Sequence, residues 1–370
     1  MKKTEFTFID LFAGCGGLSE GFLQSKRFKG LAHVEWELPM VNTLRHRLHQ
    51  KWDHTEEDSK KRVIHFDIQK TTELIEGNWT DESIQTFGST NHLDVVSKGL
   101  KGLVGDQKVD LIIGGPPCQA YSIAGRAQDK NSMKDDYRNY LFESFVKVVD
   151  AFQPSVFVFE NVPGMLSAMP GNKLVSERIF DAFQNSNYEI RLPEDLKKSI
   201  YTASDFDVPQ KRNRVIIIGI KKGCGLNLEE IYKQVDSFKS EKTKTVKDAI
   251  GNLPSLLPLD TTKKLDGKNI SHELKKGGKE VKFHQPRFHN DRDVSFFKEW
   301  LNQGMNSRSS IEKINFYNDR LSKKSNHAKY RNLEWDKPSP TIVAHLYKDG
   351  LMFIQPDEEK ARTITVKEAA

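Results

Sequence analysis

The sequence is poor in cysteine and has no long apolar run. Its three cysteines, Cys15, Cys118 and Cys224, are an odd number without paired spacing. Such a set indicates neither a disulfide framework nor a cysteine-rich zinc site. No stretch approaches the roughly 18 apolar residues that a membrane span requires, and the N-terminus has no apolar signal core. We therefore expect a cytoplasmic protein with no membrane segment and no metal site.

An excess of positive charge is also missing from most of the chain. The net charge is +6, but residues 221–335 hold 24 Lys and Arg against 15 Asp and Glu, which gives +9 there and −3 elsewhere. A localised basic region is typical of proteins that bind nucleic acid. Its histidines His284, His289 and His327 are scattered, so we expect them at the surface or in nucleic-acid contacts and not as metal ligands.

Strand-like and helical segments alternate up to residue 220. Strands are predicted at 7–12, 30–36, 62–66, 108–113, 155–159 and 214–220, and helices at 18–24 and 141–152. This alternation predicts a doubly wound α/β fold with a mostly parallel sheet. The pattern stops after Gly219. We therefore expect a catalytic and cofactor-binding domain at 1–220, a second, smaller basic domain at 221–335, and a return to the first domain at 336–370.

A glycine-rich turn, Phe12-Ala13-Gly14-Cys15-Gly16-Gly17, follows the first strand. Ligands of open α/β sheets bind beyond the carboxyl ends of the strands. Ser19 stands where a dinucleotide site has its third glycine, so a nucleoside ligand without pyrophosphate is the better match. Glu35, which ends the second strand, can accept both ribose hydroxyls, and Trp36 offers an aromatic face. Taken alone, such a turn is more often a plain strand-to-helix corner than a ligand site.

Reactive side chains follow the later strands. Cys118 comes directly after two prolines at the end of the fourth strand, where a rigid backbone favours a nucleophile over a buried structural thiol. Glu160 ends the fifth strand and is a candidate acid, although a solvent-facing loop start is the ordinary alternative. Gln210, Arg212 and Arg214 alternate at the start of the sixth strand, so we expect all three on one face unless they form an exposed basic edge.

In this order, the motifs resemble those of the DNA (cytosine-5)-methyltransferases, common as the modification half of bacterial restriction systems. Five segments spread over nearly the whole chain carry the resemblance: Asp10-Leu11-Phe12-Ala13-Gly14-Cys15-Gly16-Gly17, Pro116-Pro117-Cys118-Gln119, Glu160-Asn161-Val162, Gln210-x-Arg212-x-Arg214, and Arg362-x-x-Thr365-x-x-Glu368-Ala369-Ala370. The resemblance implies the fold of the S-adenosylmethionine-dependent methyltransferases. It also implies that the basic region is a target-recognition domain.

The reaction implied by the resemblance uses S-adenosylmethionine as cofactor and double-stranded DNA as substrate. A cytosine is flipped out of the duplex, the Cys118 thiolate adds to carbon 6, and carbon 5 takes the methyl group. Glu160 would bind ring nitrogen 3 and the amino group, and Arg214 the carbonyl oxygen. The implied catalytic residues are Cys118, Glu160, Arg212 and Arg214; the cofactor residues are Phe12, Gly14, Gly16, Gly17, Glu35, Trp36, Asp67, Ile68, Pro116 and Leu141; the substrate residues are Pro117, Gln119, Ser122 and Gln210.

The C-terminal part departs from the family's pattern. In the family, an arginine, an apolar helix and a Gly-Asn segment follow Glu-Ala-Ala, whereas this chain ends at Ala370, inside a helix predicted to begin near Thr365. We expect a truncated protein or a second polypeptide that supplies the missing part, and otherwise a monomer. Two alternatives remain: a transfer-RNA cytosine-5 methyltransferase with the same motifs, and a non-catalytic DNA-binding subunit. The long basic region favours DNA.

Overall fold

The computed structural model describes residues 5–117, 141–322, 324–328, 330–343, 346 and 350–370. The chain forms two compact units. The first contains Met1–Tyr201 and Asn213–Ser237, and the second contains Thr202–Arg212 and Phe238–Ala370. No described helix is both long enough and apolar enough to cross a membrane.

Twelve strands are described. In chain order they are β1 (Phe6–Leu11), β2 (Phe28–Glu35), β3 (Val63–His65), β4 (Leu111–Gly114), β5 (Val156–Asn161), β6 (Tyr188–Glu189), β7 (Ile200–Thr202), β8 (Gln210–Lys211), β9 (Asn213–Lys221), β10 (Leu256–Leu265), β11 (Lys268–Leu274) and β12 (Ser339–Pro340). The predicted strands at 7–12, 30–36, 62–66, 155–159 and 214–220 are confirmed with end shifts of up to two residues, and the one at 108–113 begins three residues later than expected.

The described helices lie between these strands and in the second unit. The α-helices are α1 (Gly17–Gln24), α2 (Leu38–Lys51), α3 (Glu56–Arg62), α4 (Thr71–Glu76), α5 (Asp81–Phe87), α6 (Leu93–Val104), α7 (Leu141–Phe152), α8 (Val175–Asn185), α9 (Leu228–Asp236), α10 (Val246–Ile250), α11 (Asp291–Asn302), α12 (Ser310–Leu321) and α13 (Val366–Ala369). Short 3-10 helices span Gly88–Thr90, Pro163–Ser167, Pro170–Asn172, Pro193–Ser199, Ala203–Phe206, Met305–Ser307 and Gly350–Met352. The predicted helix at 141–152 is confirmed, and so is the one predicted to begin near Thr365, which spans Val366–Ala369.

One eight-stranded sheet organises the first unit. Its order is β3-β2-β1-β4-β5-β9-β6, and β7 also pairs with β9. The five strands from β3 to β5 are parallel, whereas β9 runs antiparallel to β5 and to β6. Successive side chains of β1 point to opposite faces, so Phe8 belongs to the apolar cluster that contains residues of α1 and α2, while Ile9 belongs to the cluster that contains residues of α6, α7 and α8. Helices on both faces confirm the predicted doubly wound, mostly parallel α/β fold.

The second unit has its own apolar core. Phe296, Phe297 and Trp300 of α11 pack against Tyr317 of α12 and against Tyr330. An antiparallel hairpin of β10 and β11 and a two-residue parallel pair of β8 and β12 complete its strands.

The division of the chain differs from the predicted boundaries. The first unit runs on to Ser237 instead of ending at residue 220, and residues 336–370 belong to the second unit. The reason for the latter is apolar packing, because Phe353 and Ile364 are buried against Val246 and Ile250 of that unit.

Two histidines that the sequence placed at the surface are buried. His284 bonds to Thr365 Oγ1, and His289 Nε2 accepts a hydrogen bond from the Thr363 N–H. Burial, the largest cause, lowers the pKa of His289 to about 3, which keeps its ring neutral. The expectation of surface roles is therefore wrong for these two, because burial and internal hydrogen bonds engage them, whereas His327 is exposed.

The end of the second unit depends on a buried ion pair. Arg362 Nη1 and Nη2 donate to the two oxygens of Glu368 at 2.6 and 2.7 Å, and the two side chains are only 1% and 2% exposed. Burial alone would raise the pKa of Glu368, but the hydrogen bonds and charge of Arg362 outweigh it, so this pKa lies below its usual value. In the folded protein at neutral pH, the Glu368 carboxylate is therefore charged, and the guanidinium of Arg362 neutralises that charge.

We expect Arg362→Leu to lower the free energy of unfolding by about 3–5 kcal/mol, because it leaves a buried carboxylate unpaired. The double variant Arg362→Leu/Glu368→Leu should lose much less. Because the pKa of Glu368 is lowered by folding, the stabilisation is present at neutral pH and disappears as the pH falls through that lowered pKa. Urea unfolding at pH 7 and at acidic pH measures both effects. Equal losses in the single and double variants would contradict the argument.

Candidate functional site

A cavity of about 280 Å³ lies at the carboxyl edge of the parallel strands in the first unit. It is lined by Phe12, Val34, Glu35, Trp36, Glu37, Phe66, Asp67, Ile68, Gln69, Gly115, Pro117 and Leu141. These residues lie at the carboxyl end of β2, follow β1, β2, β3 or β4, or begin α7. The cavity therefore occupies the position where open α/β sheets bind their ligands.

The sequence identified about half of this lining. Six predicted cofactor residues line the cavity: Phe12, Glu35, Trp36, Asp67, Ile68 and Leu141. Pro117, predicted on the substrate side, also lines it. Gly14, Gly16, Gly17 and Pro116 do not. The sequence analysis missed five lining residues: Val34, Glu37, Phe66, Gln69 and Gly115. The sequence offered one indication of them, which was that each lies close to a predicted residue at the end of a strand.

Glu35 is fixed by two backbone hydrogen bonds. Its Oε2 accepts the N–H of Gly14 at 2.7 Å, and its Oε1 accepts the N–H of Glu37 at 2.8 Å. Gly14 has a φ of +55°, a conformation that glycine adopts at little cost. Because a carboxylate oxygen has two acceptor positions, both oxygens of Glu35 retain capacity for a ligand's hydroxyl groups.

Phe12 reaches the cavity through a strained backbone. Its φ of +60° lies in the left-handed region, which a non-glycine residue adopts at a cost of about 1–3 kcal/mol. The next residue is held in place, since the N–H of Ala13 donates to the carbonyl of Val34 at 2.9 Å. Strain of this kind clusters at ligand sites, and here it directs an aromatic ring into the cavity wall.

The charge of the lining limits the possible ligands. Glu35, Glu37 and Asp67 are acidic, and no basic residue is among the described residues that line the cavity. The remaining wall is largely apolar, and Trp36, which is 49% exposed, adds an aromatic surface. An anionic pyrophosphate would be repelled here, whereas a ligand with hydroxyls, a flat ring and positive charge is matched.

A close ion pair lies beside this cavity. Arg214 Nε is 2.6 Å from Glu160 Oε1, and the two side chains are about four-fifths buried. The pair forms because β9 runs antiparallel to β5 and so begins at the edge where β5 ends. The second oxygen of Glu160 faces Gly115, where an added Cβ would lie only 2.8 Å from it. Gly115 therefore contributes to the cavity and leaves room for this carboxylate.

Asn161 fixes the segment that leads to residue 118. It is buried, its Nδ2 donates to the carbonyl of Pro116 at 3.2 Å, and its Oδ1 accepts the N–H of Val162 at 2.8 Å. The sequence singled out Glu160 in this motif but gave Asn161 no role. The structure assigns Asn161 to positioning, since it joins the end of β5 to the chain that follows β4.

The remaining predicted residues lie elsewhere. Cys118, Gln119 and Ser122 lie outside the described residues. Gln210 is in β8, and its Oε1 accepts the N–H of Ile342 at 3.4 Å. The N–H of Arg212 donates to the carbonyl of Gln210 at 3.0 Å, and this tight turn separates β8 from β9. The prediction that Gln210, Arg212 and Arg214 share one face of one strand is therefore wrong, because the turn interrupts the alternation.

Comparisons with known proteins agree on one family. A family model described as C-5 cytosine-specific DNA methylase matches residues 6–79 and 75–370. A Type II methyltransferase of Bacillus paralicheniformis is 33% identical over 98% of this chain and 89% of its own length. Another from Haemophilus parahaemolyticus is 33% identical over 68% of this chain and 53% of its own length.

A solved structure supports the fold. A prophage-encoded protein of Escherichia coli, described as a DNA modification methyltransferase, has a TM-score of 0.54 and 24% identity. The match covers 99% of this chain and 87% of that protein.

Two neighbouring glycines should respond differently to alanine. A Cβ on Gly114 would lie 2.6 Å from the backbone oxygen of Leu11 and 2.9 Å from the ring of Phe145, whereas a Cβ on Gly115 would lie 2.8 Å from a side-chain oxygen of Glu160 and 3.6 Å from its backbone oxygen. We expect Gly114→Ala to cost about 1–3 kcal/mol of stability and Gly115→Ala clearly less. Thermal unfolding measures both. Gly21→Ala is the control, because its Cβ would meet nothing; similar losses in Gly114→Ala and Gly115→Ala would contradict this prediction.

Proposed function

Because the chain belongs to the C-5 cytosine-specific DNA methylase family, we propose that the cavity holds the cofactor and that the Glu160–Arg214 pair receives the target base. The protein is a DNA cytosine-5 methyltransferase of the restriction-modification type. One observation carries the assignment of these sites: Gly115 lines the cavity and also borders the carboxylate of Glu160. A methyl donor and its acceptor base must meet within bonding distance, and this shared residue supports such a meeting.

The cofactor that best fits the cavity is S-adenosylmethionine. When bound, it supplies an electrophilic methyl group on a positively charged sulfur. The acidic lining matches that charge, and Glu35 is suited to accept both ribose hydroxyls. We assign Phe12 and Trp36 to the adenine faces and Asp67 to its amino group. The other proposed cofactor residues are Gly14, Gly16, Gly17, Ile68, Pro116 and Leu141.

Cys118 is the proposed nucleophile. Its thiolate adds to carbon 6 of the flipped cytosine, so that a carbon–sulfur bond forms and the electron pair of the 5,6 double bond moves to carbon 5. Carbon 5 uses this electron pair to form a bond to the methyl group of the donor, and the bond between that methyl group and the donor's sulfur breaks, so that a neutral thioether is the leaving group. Loss of the carbon 5 proton to a base then restores the double bond and expels the thiolate. Each bond that forms is therefore matched by one that breaks, and Cys118 is regenerated.

Glu160 and Arg214 satisfy the polar edge of the base. We propose that Glu160 accepts from the cytosine amino group and hydrogen-bonds ring nitrogen 3 through the proton that this nitrogen gains as the adduct forms, while Arg214 donates to the carbonyl oxygen. Their ion pair supports this, because it holds both groups in fixed positions before the base arrives. Base flipping costs a few kcal/mol, which hydrogen bonds to the edge of the base offset. The further proposed base or DNA contacts are Arg212, Gln210, Pro117, Gln119 and Ser122.

Double-stranded DNA is the proposed partner, bound by the basic region at 221–335 as the target-recognition part. Lys and Arg neutralise phosphates, and phosphate contacts dominate nucleic-acid affinity. We propose action on chromosomal DNA in a bacterial cytoplasm. The comparisons do not support the expected second polypeptide. Transfer RNA remains the alternative substrate, and labelled methyl transfer to plasmid DNA and to transfer RNA, measured in parallel, distinguishes the two.

We expect Cys118→Ser to abolish methyl transfer to DNA and to leave S-adenosylmethionine binding nearly unchanged, because the thiol reacts with the base and does not hold the adenosine. DNA containing 5-fluorocytosine should trap a covalent adduct with the parent protein. Gel mobility under denaturing conditions detects the adduct. If the Cys118→Ala variant still forms the adduct, Cys118 is not the nucleophile.

We also expect Glu35→Gln to weaken S-adenosylmethionine binding by about 10-fold or more, since an amide offers one acceptor oxygen instead of two and loses the charge. Glu37→Gln is the matched control, because Glu37 lines the same cavity and engages Glu35 only through its backbone. Calorimetric titration measures the binding. If the two variants weaken binding of the cofactor to the same extent, charge alone sets the affinity, and the proposed contact of Glu35 with the ribose is contradicted.

A further inference from the structure

We propose that Phe283, in the second unit, stacks on a nucleobase of the DNA substrate. The proposal rests on the proposed function and adds a contact that neither the motifs nor the comparisons assign. Two unusual features coincide at this residue. Its side chain is 65% exposed, and its φ of +62° lies in the left-handed region.

Either feature alone would need no explanation. Single exposed apolar residues are common on protein surfaces, and left-handed backbone is common at Asn, Asp and Gly. For an aromatic residue the conformation is strained, and exposure means that packing does not offset the strain. Among the described residues, Phe12 and Phe283 are the aromatic residues with positive φ. Phe12 lines the proposed cofactor cavity, so its strained backbone accompanies a ligand site. By analogy with Phe12, we infer that Phe283 also contacts a ligand.

The neighbours of Phe283 hold it in this conformation. The ring of His284 is buried, with Nε2 donating to the carbonyl of Pro254 at 2.8 Å and Nδ1 accepting from the hydroxyl of Thr365 at 3.1 Å. The carbonyl of Phe283 itself accepts the N–H of Lys367 at 3.0 Å. Because the backbone is fixed at these points, the ring of Phe283 is directed outwards by structure and not by disorder.

The charge around Phe283 indicates the class of partner. Residues 275–289 contain five basic residues and one acidic residue, and all five basic side chains are exposed. The Nζ atom of Lys282 lies 5.1 Å from the centre of the Phe283 ring, and Phe288, 40% exposed, is a second aromatic residue in the segment. Cations interleaved with exposed aromatic rings match the phosphates and base faces of nucleic acid.

The reaction also makes base faces available. A flipped base leaves the stack, and its former neighbours lose a stacking partner. An aromatic side chain can stack on such a face, independently of sequence, because every base has one. Phe283 is therefore a positioning residue in this proposal, and it takes no part in the bond changes.

The test is Phe283→Gly in the full chain. Glycine adopts positive φ without strain, so the thermal unfolding midpoint should stay equal or rise. DNA affinity should fall by about 10-fold, the size expected when one base loses its stacking partner. The probe is a plasmid-derived duplex that the parent protein methylates, and binding is measured by fluorescence anisotropy. Phe283→Trp should keep parental affinity, because it retains an aromatic face.

Phe238→Gly is the matched control. Phe238 is 77% exposed in the same unit, and its φ is not positive. Its replacement should leave DNA affinity unchanged. The proposal is overturned if Phe283→Gly binds DNA like the parent, if Phe238→Gly loses as much affinity, or if Phe283→Gly lowers the unfolding midpoint. If the parent protein methylates no DNA, the proposed function is refuted instead. Failure of the Phe283 proposal and failure of the proposed function are therefore distinguishable.

Discussion

Parallel pairing of β1 to β5 is the constraint on which the rest of the first unit depends. Parallel strands all end at the same edge, so residues far apart in sequence meet there. Phe12, Glu35, Asp67 and Gly115 each lie at or just beyond the end of a different strand and line one cavity. The hydrogen bond between Gly14 and Glu35 joins the first two of these strand ends. A shift of register in any of these strands would separate them.

The antiparallel direction of β9 supplies what parallel strands cannot. An antiparallel strand begins where its neighbour ends, so the start of β9 brings Arg214 to Glu160. A parallel strand in that position would have brought Lys221 to this edge. The arginine thus meets the carboxylate because of the strand's direction, and Gly115 leaves space for that carboxylate.

The sequence predicted local features well and long-range ones poorly. Strand ends and the helix at 141–152 follow from apolar periodicity, which is a property of adjacent residues. The turn at Arg212 depends on one backbone hydrogen bond that no periodicity reveals. Burial of His284 and His289 depends on Thr365 and Thr363, more than 70 residues away in the chain. The residue type alone suggested surface positions for these two histidines, but tertiary contacts bury them.

The cavity of the first unit and the basic region at 221–335 carry an excess of opposite charge, and the two proposed ligands explain why. The cavity of the first unit is lined by three acidic residues and, within its described lining, by no basic residue, as a cationic cofactor requires. The basic excess lies at 221–335, as a polyanion requires. Basic side chains in the cavity would repel a sulfonium, and acidic side chains on the DNA-binding surface would repel phosphates. Exposed charges are screened by salt within about 10 Å at 0.1 M, whereas partly buried ones are screened less. Ionic strength should consequently affect the binding of DNA more than the binding of the cofactor.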